Sequence, residues 1–172
     1  MLRWSGSILG TEIGIAGWSD EESQVDVASC RGDYLVVWKG GAAGTAMVYA
    51  RALDGDGTVG DVVTNLSGGV VDQGQPAVTC NPSGGEYLVT WEKLFDGSHR
   101  GVVAALIARD ATIAVHPFNV YVSGPGSATE YTRPALVFGN NGTALVAWES
   151  DRPDLSSKDI RGRLTAGALF AD

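Results

Sequence analysis

Residues 33–38 read DYLVVW, residues 86–91 read EYLVTW and residues 143–148 read TALVAW. Each is a short apolar run closed by a tryptophan. Trp38, Trp91 and Trp148 stand 53 and 57 residues apart, counting from 38 to 91 and from 91 to 148. A period near 50 residues marks stacked repeat units and has to be settled before any single motif is read. Within the first copy, period-2 alternation puts Tyr34, Val36 and Trp38 on one face and Leu35 and Val37 on the other. Both faces are apolar, so the strand is expected to be covered on both sides.

The rest of each unit repeats in the same order. A lead-in segment comes first: QVDV at 24–27, QPAV at 75–78 and RPAL at 133–136. A turn with glycine follows (CRGD, NPSGGE, GNNG), then the tryptophan strand, then MVYARALD, VVAALIARD or DIRGRLT. The first two units add a fourth run, VVTNLS at 62–67 and FNVYVS at 118–123. Pro76 and Pro134 fall at the start of a strand, where a missing N–H costs least. AAGTAMVYARAL reads as helix on propensity alone. Its counterparts are β-branched or glycine-interrupted, and a strand is the one conformation that suits all three.

The expected fold is therefore all-β and propeller-like, with three four-stranded blades. The segment GSILGTEIGIAG at 6–17 matches GTVGDVVTNLSG at 57–68 with one inserted residue. Residues 1–17 are thus expected to be the last strand of a permuted blade, followed by blade 1 at 18–68, blade 2 at 69–124 and three strands of blade 3 at 125–172. The N-terminal strand would complete the C-terminal blade and leave no raw edge. Propellers need more than three blades to ring an axis. The expectation is a homo-oligomer, two chains making a six-bladed ring, with a fragment of a longer propeller as the alternative.

Composition bounds the rest. Apolar residues make up 44% of the chain and charged ones 19%, a globular balance, and 24 glycines imply many tight turns. The net charge of −8, with Lys and Arg scattered, argues against nucleic acid and against an anionic membrane face. No apolar run reaches membrane-helix length and the N-terminus has no signal-peptide core, so the cytoplasm is the default compartment. Cys30 and Cys80 lack metal-site spacing. They lie one position apart in the repeat register and read as small buried apolar side chains rather than as a disulfide.

The chain resembles the blade repeats of bacterial β-propeller proteins. The resemblance rests on the P-x-V lead-in, the Y-L-V-x-W strand, W-E-S-D-R at 148–152, D-I-R-G-R at 159–163 and the L-D-G-D-G turn at 53–57. It implies architecture rather than activity. Lys39, Glu92 and Glu149 follow the tryptophans where WD40 repeats carry aspartate, and the paired glycines of kelch repeats are missing.

The lead-in loops are the candidate ligand-binding site. In register, Glu21, Asp72 and Glu130 each precede Gln24, Gln75 and Arg133 by three residues. Such a ring of carboxylates at a channel mouth can hold a cation or a polar ligand, or simply cap turns. Trp18, Gln73 and Tyr131 share these loops and can stack a sugar ring or cover an edge. DGDGTVGD at 54–61 reads as a hairpin turn before it reads as a calcium loop. Arg31-Gly32-Asp33 matches an adhesion tripeptide but occupies a turn. Asn65 and Asn141 fit the glycosylation pattern, and Arg152 with Asp159 reads as an ion pair. His99 and His116 occupy unrelated positions, and no nucleophile elbow or phosphate loop is present. No catalytic residue and no cofactor is assigned. The expected function is a non-enzymatic binding or interaction module for a carbohydrate, a cation or a protein. Its alternatives are a glycan-active hydrolase using lead-in carboxylates, or a structural fragment.

Overall fold

The computed structural model describes residues 10–17, 21–68, 72–95, 99–122, 130–151 and 157–166. These form eleven strands in three antiparallel sheets and no helix. Blade 1 contains β1 (Glu22–Cys30), β2 (Asp33–Gly40), β3 (Met47–Leu53) and β4 (Val59–Asn65). Blade 2 contains β5 (Gln73–Cys80), β6 (Tyr87–Leu94), β7 (Arg100–Ile107) and β8 (Ile113–Tyr121). Blade 3 contains β9 (Glu130–Phe138), β10 (Thr143–Asp151) and β11 (Lys158–Ala166). Each sheet keeps chain order, and β1, β5 and β9 stand side by side as the inner strands. Met47–Leu53 of the Ala-rich segment form strand β3, as its repeat partners require, and residues 42–46 make the turn before it.

Blade packing explains the tryptophan strands. Leu35 and Val37 of β2 meet Tyr87, Val89 and Trp91 of β6 in one buried core between blades 1 and 2. Leu88 and Val102 of blade 2 meet Val146 and Trp148 in a second core, between blades 2 and 3. In β6 the alternation of two apolar faces therefore serves two different neighbours: Tyr87, Val89 and Trp91 meet blade 1, and Leu88 meets blade 3. Trp91 is fully enclosed, and its indole N–H donates to Gln73 Oε1 at 2.6 Å.

The two cysteines correct the sequence reading: Cys30 and Cys80 form a disulfide, with Cα atoms 5.2 Å apart. Both end an inner strand, so near-equivalence of position brings them together rather than keeping them apart. The bond ties blade 1 to blade 2 at the end of the sheets opposite the lead-in loops.

The expected closing strand lies mostly outside the described residues, which begin at Gly10. Residues 10–17 carry no strand and run against blade 1. Ile15 and Ala16 pack on Val36, Trp38 and Leu53, and Arg51 holds the segment through Ile15 O at 2.6 Å. Among the described residues blade 3 has three strands.

Candidate functional site

Each inner strand opens with the same distortion. The ladder shifts register between Ser23 and Asp26, between Gly74 and Ala77, and opposite Ala147 and Glu149. At the three bulges Gln24, Gln75 and Arg133 have φ of 54°, 49° and 50°. Left-handed backbone is uncommon for residues with a β-carbon, and bulges of this kind re-aim side chains near sites. Each strained residue after the first receives an acceptor from the preceding blade. The Gln75 N–H donates to Gln24 Oε1, and the Arg133 N–H donates to Glu92 Oε1, both at 2.7 Å.

From these bulges a ridge of alternating charge crosses all three blades. Lys39 Nζ lies 3.6 Å from Asp72 Oδ1, and Arg100 Nη2 lies 2.8 Å from Asp72 Oδ2. Arg100 Nη1 reaches Glu92 Oε2 at 3.6 Å. Beyond the Glu92–Arg133 contact, the Arg133 guanidinium pairs with Glu149 at 3.1 Å. Lys158 continues to Glu149 at 3.5 Å and Asp151 at 3.8 Å.

The environments push neighbouring carboxyls in opposite directions. Burial raises the Glu92 pKa, and the nearby Glu130 charge adds to that, against the Arg133 N–H and Arg100. Burial also works against the Asp72 charge, but the Arg100 hydrogen bond and the Lys39 ammonium outweigh it and hold Asp72 below the usual range. Hydrogen bonding from Arg133 lowers the pKa of the half-buried Glu149.

Of the seven sequence-derived site residues, Gln24, Asp72, Gln75 and Arg133 lie in this ridge or at its bulges. Glu130 is exposed and pairs with Asp151 in the ladder, close enough to act on Glu92. Glu21 is exposed at the place equivalent to Asp72, and its carbonyl accepts the Gly41 N–H as the Asp72 carbonyl accepts that of Leu94. Among the described residues no three His, Cys, Asp or Glu side chains stand close enough to hold a metal ion. Tyr131 is a core residue, its ring edge-on to Tyr121 at 4.6 Å, and Gln73 is fully buried. Both side chains are withdrawn from the surface. Trp18 and Arg152 lie outside the described residues, and Asp159 is 3.4 Å from Arg161.

Sequence reasoning missed Lys39, Glu92, Arg100 and Lys158 as site residues. The signal was present for two of them: a charge directly follows each tryptophan at the end of an otherwise apolar strand. The remaining motifs have structural uses. Asp54 and Gly57 close the expected hairpin turn through a 2.9 Å backbone bond. Arg31 donates to Ser83 O and Asp33 pairs with Arg109, so both ends of the adhesion-like tripeptide are committed to blade 2.

The described chain is a β-propeller segment, and solved structures carry the same fold. It superposes on an endo-arabinase from Bacteroides thetaiotaomicron with a TM-score of 0.60 at 16% identity, covering 83% of this chain and 55% of the arabinase. A Hadza microbial sialidase gives 0.66 at 12%, over 84% of this chain and 35% of the sialidase. A thermostable family-43 glycoside hydrolase gives 0.57 at 8%, over 90% and 52%. The chain thus spans about half the arabinase and a third of the sialidase. No protein-family model and no curated protein matches the sequence.

Proposed function

We propose that the chain is part of a larger, glycan-directed propeller that binds sugar along the charged ridge at the ends of its inner strands. The observation that carries this is the ridge itself. Charged and amide side chains from all three blades converge there on bulged, left-handed backbone. Alternating donors and acceptors match the hydroxyl pattern of a saccharide, whose groups both give and take hydrogen bonds. The structural likeness to an arabinase, a sialidase and a glycoside hydrolase supports a glycan rather than a protein ligand.

A second reading, hydrolysis, is favoured by one feature. Glu92 and Asp72 share Arg100 while their pKa values move apart, the arrangement that separates acid from base in carboxylate-pair enzymes. Binding is the better-supported reading because both Glu92 oxygens already face protein donors. The Cys30–Cys80 disulfide supports work in an oxidising compartment, in place of the cytoplasmic default.

Titration calorimetry with arabino-oligosaccharides and sialylated oligosaccharides, beside nitrophenyl glycoside assays, tests both readings. Binding that Arg100→Ala weakens at least tenfold, with no nitrophenol released, is the expected result. Turnover abolished by Glu92→Gln establishes hydrolysis instead. Silence in both assays sinks the glycan reading.

A further inference from the structure

Two blade faces remain open, and each has an internal counterpart that is closed. On blade 3, Leu145 is 42% exposed, whereas Leu35 and Leu88 at the same repeat position are buried. Ile160 is 75% exposed where Val48 and Val102 are buried, and Leu164 is 70% exposed where Leu106 is buried. On blade 1 the opposite face is open: Val27 is 55% exposed where Val78 is buried, and Tyr34 is exposed where Tyr87 is buried. The blade 3 face therefore has the residue types with which blades 1 and 2 meet their followers. The blade 1 face has those with which blade 2 meets its predecessor.

Residues 10–17 add a second observation. Leu66, just past β4, is buried in the core against which blade 2 packs, and its N–H donates to Val48 O. Ile15 is its counterpart in the sequence repeat, and it sits on Trp38 and Val36 as Leu66 sits with Trp91 and Val89. The groove beside it, about 220 Å³ and lined by Val25, Val36 and Trp38, lies where a preceding blade would stand. Polar ties point the same way. Gln75 and Arg133 each receive a side-chain acceptor from the blade before, and Gln24 is the equivalent left-handed residue of blade 1. Glu149, aligned with Glu92, is the matching acceptor on the open side of blade 3.

We propose that two copies of this chain close head to tail into a six-bladed ring, the open face of blade 3 in one copy seating on the open face of blade 1 in the other. The occupant is a second copy because this chain bears both halves of the interface. Each half is a repeat of one already matched between its own blades. Two such contacts related by a twofold axis form a closed assembly with no apolar face left over. That ring is the larger propeller proposed above, so the inference rests on that reading and not on the ligand of the ridge.

The native disulfide supplies the test. The counterpart of Cys80 on blade 1 is Ser29, and the counterpart of Cys30 on blade 3 is Gly139. In the double variant Ser29→Cys with Gly139→Cys, the repeat of the Cys30–Cys80 geometry joins one copy to the next. The expected result is one covalent species at twice 17.9 kDa on a non-reducing gel, returned to monomer by reductant. Light scattering of the unaltered protein is expected to give the same doubled mass. Val27→Asp reads the same face without a new thiol and is expected to yield a monomer that still unfolds cooperatively. A monomeric unaltered protein overturns the proposal. So does a ladder of larger cross-linked species, or a Val27→Asp protein that keeps the doubled mass.

Discussion

Gln24 Oε1 accepts the backbone N–H of Gln75 at 2.7 Å, so one left-handed residue satisfies the equivalent left-handed residue of the next blade. Without that acceptor, the bulge of β5 turns an N–H toward blade 1 with nothing to receive it. Gln24→Ala is expected to cost about 1 kcal/mol, a typical net hydrogen bond. Urea unfolding measures it, and an unchanged midpoint would show that water replaces the amide at no cost.

The disulfide closes a loop across 50 positions of sequence. Chain-entropy reasoning gives about 4 kcal/mol for a loop of that size, with strain free to subtract from it. Cys30→Ser combined with Cys80→Ser is expected to lower Tm by roughly 10 °C, given about 2–4 °C per kcal/mol in a chain of this length. Scanning calorimetry with and without reductant checks it: reductant should shift the parent and leave the double variant unmoved.

Glu92 has its pKa raised in the fold, so the folded state prefers the protonated form. Its contribution to stability is greatest below the unfolded carboxyl value and declines as pH rises through the folded value. Glu92→Gln removes that dependence while keeping an acceptor for the Arg133 N–H. The variant is expected to match or exceed the parent in stability near pH 7, with the advantage vanishing below about pH 4. A clear loss at pH 7 would mean that Arg100 stabilises the carboxylate more than burial opposes it.

Asp72 runs the other way. Its folded pKa is lowered, so its stabilisation is present above the unfolded value of 3.8 and is lost as pH falls through the folded value. Asp72→Asn is expected to cost about 1–2 kcal/mol at pH 7 by weakening the contacts to Lys39 and Arg100. Parent and variant curves should converge at low pH, and curves that stay parallel throughout would remove the ion pairs from the account.

Trp91 and Gln73 form a buried pair. Trp91→Phe leaves the Gln73 carbonyl without its donor and opens space in the first interblade core. A loss of roughly 2–3 kcal/mol is expected from the two effects together. Trp38→Phe serves as the control from the partly open face and is expected to cost less.

Much of this arrangement was legible in the residues. The spacing of Trp38, Trp91 and Trp148 gives the blades, and the alternation around Leu35 and Val36 gives their two apolar faces. The lead-in residues Gln24, Gln75 and Arg133 align in the sequence, where register alone exposes equivalence, and share one backbone conformation in the fold. What they do was not legible: left-handed φ in a residue with a β-carbon leaves no trace in a single sequence. Cys30 and Cys80 were misread for a related reason. Aligned positions on adjacent inner strands are neighbours in space, so similarity of place argued for the bond and not against it. Tyr131 and Gln73 were placed in loops that the fold draws into the core. The ridge partners Arg100 and Lys158 begin the third strands of their blades, and nothing local ties them to carboxylates elsewhere in the chain.

A single covalent tie between the first two blades also sets an order of failure. The seam between blades 1 and 2 is crossed by a bond joining the ends of β1 and β5, whereas that between blades 2 and 3 is held by packing and by contacts such as Arg163 of β11 to Val120 O of β8. Under load the third blade is expected to part from the second before the first two separate, and these stay joined as one hinged leaf. The molecule thus has a designated tear line, and it runs between Glu92 and Arg133, through the middle of the ridge.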